Sequence, residues 1–271
     1  MAGQRTEPAP GGYSLAISEQ ELTRYARMAA DAASSEVAEW SSAGIVAGAR
    51  VADVGCGPGA VLRLLAEQVG TSGSVVGIDA DPAAVSIARK QIAGLGNSEI
   101  RVGAADATGL EPGGYNVVMC RHVLAHNGGS EGAIVGHLAS LVAPGGCVYL
   151  VDIDATAMRV SSRDPDEHDL WERYQEFQRA RGNDLSVGLL LGDLLDEAGL
   201  TVETYAWCSP ALRVLPGARP PSWAAREAMV AEGFATDADL TRWEAAFDRL
   251  DALERRPWIF PPGLVAIGRR A

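Results

Sequence analysis

Short apolar runs alternate with amphipathic stretches through the middle of the chain. Five runs rich in β-branched residues have the pattern of buried parallel strands: RVADVG (50–55), SVVGIDA (74–80), EIRVGAAD (99–106), YNVVMC (115–120) and GCVYLVDID (146–154). Helical periodicity occupies the intervals at 60–69, 82–95 and 130–142. This alternation predicts an α/β fold with a doubly wound, mostly parallel sheet.

Further helices are predicted on both sides of this repeat. Ser18 and Glu21 form an S-x-x-E capping box, which predicts an N-terminal helix, and a second helix is expected before the first strand. After the fifth strand, helical spacing recurs at 166–182 and at 186–200. The sheet is therefore expected to carry helices before and after its central repeat.

Two later segments complete a predicted seven-stranded sheet. TVETYAW (201–207) has the pattern of a sixth strand and GLVAIGRR (263–270) that of a seventh. Helical patterns at 222–233 and 237–254 lie between them, in a connection too long for a plain hairpin. We interpret it as a helical insertion that covers a pocket.

The amino-acid composition limits the classes of partner that the protein is expected to bind. The chain has 271 residues, and 35 acidic against 23 basic side chains give a net charge of −12, which argues against nucleic acid as a partner. No apolar run approaches the roughly 18 residues of a membrane span, so no membrane partner is expected. Four cysteines lack C-x-x-C spacing: Cys56, Cys120, Cys147 and Cys208. We expect no metal site and a reduced, cytoplasmic protein.

The stretch VADVGCGPGAV (51–61) ends an apolar strand in three glycines at alternate positions. Glycines this close together indicate positive φ or the close approach of a ligand to the backbone. The loop follows the first strand, at the switch point where open α/β sheets bind ligands. Because G-x-G-x-x-A also satisfies the dinucleotide pattern, the loop alone leaves two cofactors open.

Three acids at predicted strand ends favour one of those cofactors. Asp53 precedes the glycine loop, Asp79 ends the second strand, and Asp106 is expected to end the third. A carboxylate at the position of Asp79 can accept both hydroxyls of a ribose. Asp53 would repel a pyrophosphate but would attract a cationic ligand.

These residues carry a resemblance to the class I S-adenosylmethionine-dependent methyltransferases. VADVGCGPGAV resembles their first motif, GIDADP their second and GAADAT their third, while LVAPGGCVYLVD is similar to their L-x-P-G-G turn. The match is close over about residues 45–155 and extends more loosely to a UbiE-like bacterial branch that methylates small molecules. It implies a Rossmann-like methyltransferase fold with N-terminal lid helices.

The resemblance implies S-adenosylmethionine as the cofactor. Asp53 would face its ammonium, Asp79 would hold the ribose hydroxyls, and Asp106 would accept from the adenine amine. The positions expected to contact the cofactor are Tyr13, Asp53, Gly55, Cys56, Gly57, Gly59, Asp79, Ala80, Asp106, Ala107, Arg121 and His122. Tyr13 is expected to close over the cofactor from the lid.

An oxygen or nitrogen acceptor that carries a proton needs a base, and histidine suits neutral pH. Of the four histidines, His126 and His122 follow the fourth strand on the cofactor side, and we predict His126 as the base, although a helix-capping or supporting role is the plainer alternative. Asp154, after the fifth strand, is predicted to bind the acceptor.

Three aromatic residues at helical spacing, Trp171, Tyr174 and Phe177, are expected to form an aromatic wall for the acceptor. The alternative is that this aromatic stripe belongs to the hydrophobic core. The insertion, with Trp223, Trp243 and Trp258, is expected to form a pocket rim or a homodimer interface.

We therefore predict tail and lid over 1–44 and a cofactor-binding domain over 45–271, with 156–200 and 208–260 as helical elements that cover the substrate. The expected function is methyl transfer to a small organic acceptor, with oxygen as the accepting atom and a secondary metabolite as the type of molecule. Two alternatives stay open at this point. One is an NAD(P)-dependent oxidoreductase, and the other is a non-catalytic protein that binds S-adenosylmethionine.

Overall fold

The structure is a computed structural model that describes residues 18–271. Its strands are β1 (Arg50–Val54), β2 (Ser74–Asp79), β3 (Ser98–Val102), β4 (Tyr115–Arg121), β5 (Val142–Ile153), β6 (Arg159–Val160), β7 (Thr201–Trp207), β8 (Leu212–Arg213), β9 (Trp258–Phe260) and β10 (Gly263–Arg269). Its α-helices are α1 (Glu19–Ser35), α2 (Val37–Ala43), α3 (Leu62–Val69), α4 (Pro82–Gln91), α5 (Glu131–Leu141), α6 (Pro165–Ala180), α7 (Leu191–Glu197), α8 (Pro221–Ala224), α9 (Arg226–Ala231) and α10 (Asp237–Asp251).

Seven strands form one sheet in the order β3-β2-β1-β4-β5-β10-β7. Only β10 runs antiparallel to its neighbours in this sheet, so the predicted doubly wound, mostly parallel, seven-stranded sheet is confirmed. The strand order reverses between β1 and β4, which makes the carboxyl ends of these two strands the switch point of the fold. The glycine loop leaves β1 at this point.

Alternate residues of the central strands point to two separate cores. Val51 and Met119 pack with α2, α3 and α4 on one side, which we call the α2 face. Ala52 and Val118 pack with α5, α6 and α7 on the other side, which we call the α6 face. Because both sides of the sheet are covered, its strands are apolar on both faces, which explains the near-continuous apolar runs in the sequence.

Several predicted boundaries were wrong in detail. Strand β3 ends at Val102, so Asp106 lies in a turn beyond the strand and does not end it. Ser18 caps α1 by accepting from the backbone N–H of Glu21, but the Glu21 carboxylate accepts from Arg24 and not from the cap, so the capping box is incomplete. The helix predicted over 186–200 begins as a 3₁₀ turn and becomes α7 only from Leu191.

The sequence predicted a helical insertion between β7 and β10, but this connection is only partly helical. Besides α8, α9 and α10 it contains β8 and β9, which form a second, three-stranded sheet with β6. Strands of two or three residues are too short to produce a recognisable alternation. No helix in residues 18–271 is long and apolar enough to cross a membrane.

The insertion is attached to α6 through α10. Trp243 is fully buried between the two helices, and its indole N–H donates to Asp169 at 2.9 Å. Arg242 contacts Asp166 and Asp169 of α6, and Arg249 contacts Asp164 at its start. Trp243 is therefore a core anchor of the insertion and does not form a pocket rim.

We expect Trp243→Ala to destabilise the protein by about 3–5 kcal/mol, because it leaves a cavity and removes the partner of Asp169. Trp258→Ala is the matched control, because Trp258 belongs to the same insertion but is 48% exposed. It should cost about 1 kcal/mol or less. Denaturant unfolding measures both values. Equal losses in the two variants would contradict the assignment of Trp243 as the anchor.

Candidate active site

The glycine loop turns back on itself through three residues in the left-handed region. Gly55, Gly57 and Gly59 have φ values of 76°, 54° and 83°. The N–H groups of Gly55 and Cys56 both donate to Ile78 O, at 2.7 and 2.9 Å, which ties the start of the loop to β2. The backbone conformation thus explains why glycine is needed at these positions, since other residues rarely adopt positive φ.

Close packing adds a second constraint at Gly55, and the atoms nearest to Gly57 show which element covers the loop. A Cβ atom at Gly55 would lie 2.1 Å from Val123 Cγ2, in the segment that follows β4. At Gly57, the nearest atoms to such a Cβ belong to the ring of Tyr25 in α1, at 3.6 Å. Helix α1 therefore lies over the glycine loop, where the sequence predicts a lid. A cleft of about 220 Å³ separates the two elements.

The carboxylates of Asp53 and Asp79 lie side by side at the ends of β1 and β2. Asp53 pairs with Gly77 in the register of the two strands, so Asp79, two residues further, projects from the same face. Asp79 accepts from the N–H groups of Gly57 at 2.7 Å and Asp81 at 2.9 Å. Burial raises the pKa of Asp53 to about 7, against the attraction of Arg121 and with a contribution from Asp79.

Arg121 forms a buried ion pair with Glu36, at the junction of α1 and α2. Glu36 also accepts from the hydroxyl of Tyr149 at 2.7 Å. Burial of Arg121 lowers its pKa, but the nearby Glu36 carboxylate outweighs this effect and raises the pKa of Arg121. The structure thus pairs Arg121 with the N-terminal helices, and its predicted contact with the cofactor stays a prediction.

The remaining predicted cofactor positions lie around this edge of the sheet. Ala80 follows β2 and is exposed, and Asp106 and Ala107 are exposed in the turn beyond β3. Cys56 is half-buried within the loop, and burial together with Asp53 and Asp79 raises the pKa of its thiol. Tyr13 lies outside the described residues, so its predicted role stays a prediction.

Both candidate catalytic histidines lie just after β4. His122 has a positive φ of 56°, and its N–H donates to Val151 O at 2.7 Å. Burial and the charges of Arg121 and Arg24 lower the pKa of His122 to about 3. Burial and Arg24 lower the pKa of His126 to about 4. Both imidazoles are therefore neutral at neutral pH.

His126 is held by a polar residue that the sequence analysis missed. Its imidazole is hydrogen-bonded to the side chain of Gln178 in α6, and Gln178 is fully buried. The carbonyl oxygen of the Gln178 side chain also accepts from Asn183 at 2.7 Å, and the phenol of Tyr174 is hydrogen-bonded to the same side chain. This buried hydrogen bond fixes the orientation of the neutral imidazole.

The two aspartates near the end of β5 have different surroundings. Asp154 follows the strand and caps a 3₁₀ turn, where its carboxylate accepts from the N–H of Thr156 at 3.0 Å and from its hydroxyl at 2.5 Å. Asp152 is still within β5 and accepts from the N–H of Ala125 at 3.2 Å, next to His126. Burial raises the pKa of Asp152 to about 7. Asp152 therefore lies beside the histidines, while Asp154 has a local structural partner.

The aromatic stripe of α6 belongs mainly to the core. Tyr174 and Phe177 are buried, and Phe177 packs edge-on against Phe234 with ring centroids 5.5 Å apart. Trp171 is half-buried, 5.6 Å from the Tyr174 ring. The core alternative thus describes Phe177, whereas Tyr174 reaches the polar cluster around Gln178. Substrate contacts for Trp171 and Tyr174 stay predictions.

Comparison with known proteins identifies the domain. Residues 51–146 match the family model described as a methyltransferase domain. A ubiquinone biosynthesis O-methyltransferase of Thiobacillus denitrificans is 35% identical over 115 residues, which cover 41% of this chain and 47% of that protein. The aklanonic acid methyltransferase DauC of Streptomyces sp. strain C5 is 42% identical over 76 residues, 27% of this chain and 34% of that protein. The chain thus spans half or less of the length of these relatives.

The fold also resembles that of solved methyltransferase structures. A geranyl diphosphate methyltransferase solved with S-adenosylmethionine superimposes with a TM-score of 0.53 at 12% identity, and the match covers 94% of this chain and 92% of that one. The chain therefore carries a methyltransferase domain with the Rossmann-like methyltransferase fold. The predicted resemblance to class I S-adenosylmethionine-dependent methyltransferases is thus borne out over residues 51–146, and the predicted fold is confirmed.

We expect Gly55→Ala to weaken binding of S-adenosylhomocysteine by about tenfold or more, because the new methyl group would displace Val123 and the loop above it. Gly94→Ala is the matched control: Gly94 also has a positive φ, of 88°, but no heavy atom lies within 4 Å of the added Cβ. The control therefore carries the conformational cost without the clash. Isothermal calorimetry measures both affinities, and equal affinities would contradict the role of the Gly55 contact.

Proposed function

We propose that the protein transfers the methyl group of S-adenosylmethionine to a small organic acceptor, with oxygen as the accepting atom. The observation that carries this proposal is the placement of Asp53 and Asp79 at adjacent strand ends beside the bare glycine loop. The ligand that fits them has a cationic end and a ribose. Bound S-adenosylmethionine supplies an electrophilic methyl group on a sulfonium.

The residues present suit this cofactor. Each oxygen of Asp79 accepts one backbone N–H, and each has a further lone pair for a ribose hydroxyl. Burial is the main cause that raises the pKa of Asp53, and repulsion by Asp79 adds to it, so an added cation would stabilise the pair of carboxylates. A pyrophosphate would add negative charge at the same place. The site therefore favours S-adenosylmethionine over NAD(P), the first of the two alternatives.

On the α6 face, His126 is the residue that we propose to receive or orient the proton of the acceptor hydroxyl. Its neutral imidazole has a fixed orientation through Gln178. Because a base with a lowered pKa removes protons best from acidic groups, we propose acceptors with an acidic phenol or a carboxyl group. The remaining work is positioning, since an in-line displacement depends on close alignment of the acceptor with the methyl group.

The relatives support a small acceptor of this kind. Their names give an O-methylation in ubiquinone biosynthesis and the methylation of aklanonic acid, so a secondary metabolite stays our proposal for this chain. The second alternative, a protein that binds S-adenosylmethionine without turnover, is distinguished by release of S-adenosylhomocysteine with any acceptor. A panel of phenolic and carboxylic aromatic acids is the appropriate test.

We also propose a cytoplasmic protein that acts without nucleic acid. Free thiols at all four cysteines support a reducing compartment, and the net charge of −12 opposes phosphate backbones. Exposed Tyr205 and Trp207 on the edge strand β7 support self-association, so a homodimer is the assembly that we propose.

Asp79→Ala should weaken binding of S-adenosylhomocysteine by about tenfold or more, because it removes two hydrogen bonds to the ribose and the support of the Gly57 N–H. Asp81→Ala is the neighbouring control, since Asp81 caps α4 and its loss should lower stability by about 1 kcal/mol. Its binding affinity should stay close to that of the wild type. Unchanged affinity in Asp79→Ala would refute the ribose contact.

His126→Gln should lower kcat by about 100-fold or more with an acceptor identified from the panel, while binding of S-adenosylhomocysteine stays unchanged. The exposed His168 provides the control His168→Gln, which should retain full activity. Since the pKa of His126 is about 4, kcat at saturating cofactor should stay level as the pH falls to about 5. Full activity of His126→Gln would reduce His126 to a structural role.

A further inference from the structure

A buried row of charged and polar groups connects the N-terminal helices with the floor of the cofactor site. Glu36 ends α1 and begins α2, and it accepts from the guanidinium of Arg121 and the hydroxyl of Tyr149. The exposed fraction is 4% for the Glu36 side chain and 9% for that of Arg121. An ion pair this deeply buried requires close pairing, because neither charge is solvated.

The register of the sheet brings Asp53 into the same row. Asp53 pairs with Met119 of β4, and Met119 pairs with Tyr149 of β5. Arg121 lies two residues beyond Met119, so its side chain projects from the α2 face, as those of Asp53 and Tyr149 do. Diagonal neighbours on one face are within reach of a long side chain. Arg121 is thus paired with Glu36 and at the same time lies within electrostatic reach of Asp53.

The charges along this row are unequal in number. Arg121 supplies one positive charge for two carboxylates, and the Glu36 carboxylate holds it directly. The titratable groups that act on Asp53 from its own side of the sheet are Asp79 on β2, Arg121 on β4 and Cys56 in the glycine loop, while Cys120 of β4 lies on the opposite face. Asp53 therefore retains negative charge that a cationic ligand can complement.

We propose that the Glu36–Arg121 ion pair is a positioning device that fixes Arg121 beside Asp53 and so sets how strongly Asp53 attracts the ammonium group of the cofactor. This inference rests on the proposed function, in which Asp53 faces that ammonium. Glu36 and Arg121 are positioning residues, since they act through Asp53. The device links the attachment of α1 and α2, which lie over the glycine loop, to recognition of the cofactor's charge.

Two substitutions should shift the behaviour of Asp53 in opposite directions. Arg121→Gln removes the attraction that stabilises ionised Asp53, so Asp53 should ionise about one pH unit or more higher. Glu36→Gln removes the carboxylate that competes for Arg121. The positive charge of Arg121 then attracts Asp53 more strongly, so Asp53 should ionise at lower pH. A residue with only a structural role would give no such reversal of sign.

The test measures affinity by calorimetry from about pH 5.5 to 8.5 for two ligands, so that a midpoint raised above the wild-type value stays within the range. S-adenosylhomocysteine carries the ammonium, whereas methylthioadenosine lacks the amino-acid part. In the wild type, affinity for the first should rise with pH as Asp53 ionises, and affinity for the second should stay level. The midpoint of the rise should move up in Arg121→Gln and down in Glu36→Gln.

A second readout needs no ligand. The carboxyl carbon resonance of Asp53, assigned by its loss in Asp53→Asn, should titrate with the same opposite shifts in the cofactor-free protein. Arg121→Lys should restore the wild-type midpoint in part. Glu203→Gln is the matched control, because Glu203 forms an exposed ion pair with Arg269 and should leave the midpoint unchanged.

Loss of one partner of a buried pair can unfold a protein, so the double variant Glu36→Gln, Arg121→Gln completes the set. It should fold and should shift the midpoint upward, as Arg121→Gln does. Shifts of the same sign in both single variants, an unshifted midpoint in either, or an unshifted double variant would overturn the inference. If the resonance shifts as expected but the wild type binds both ligands with the same pH dependence, the ammonium contact of Asp53 is refuted, and the proposed function fails at that residue.

Discussion

The attraction between Arg121 and two buried carboxylates is the interaction on which the site depends. Asp53 lies at the end of β1 with 3% of its surface exposed, a position that strongly disfavours charge. Arg121 opposes that effect from the neighbouring strand while it holds Glu36 at the junction of α1 and α2. One guanidinium thereby serves both the charge of the cofactor site and the attachment of the helices above it.

The two faces of the sheet divide the chemistry between them. On the α2 face, Asp79, Asp53 and Arg121 follow one another across adjacent strand ends. On the α6 face, Cys120 belongs to the core, and His126, Gln178 and Asp152 form the polar cluster beyond it. The glycine loop lies at the switch point between these groups. A methyl donor held by the first set would be presented to an acceptor held by the second.

Much of the fold follows from local pattern. The central strands of the sheet are buried on both faces, so their apolar runs were recognisable. The glycines at 55, 57 and 59 marked the loop because their backbone has positive φ. Gln178 also carried a signal, since it lies eight residues after Leu170 and four after Tyr174 on the apolar face of α6. A glutamine at a core position of a helix indicates a buried hydrogen-bond partner.

The rest depends on contacts that are distant in sequence. Glu36 and Arg121 are 85 residues apart, and nothing local distinguishes Glu36 from the exposed acids of its helix. Alternation could not separate Asp152 from Asp154, because both have the same parity. What separates them is the end of β5 at Ile153, after which Asp154 caps a turn. The small sheet escaped detection because its strands have two or three residues.

The central claim is that the bare loop and its carboxylates form a site for a cationic nucleoside, not for a dinucleotide. Calorimetric titration of the full chain with S-adenosylmethionine and, separately, with NAD⁺ and NADH tests it most directly. We expect saturable binding of S-adenosylmethionine and no measurable binding of either dinucleotide at the same concentrations. Binding of NAD⁺ or NADH without binding of S-adenosylmethionine would contradict it.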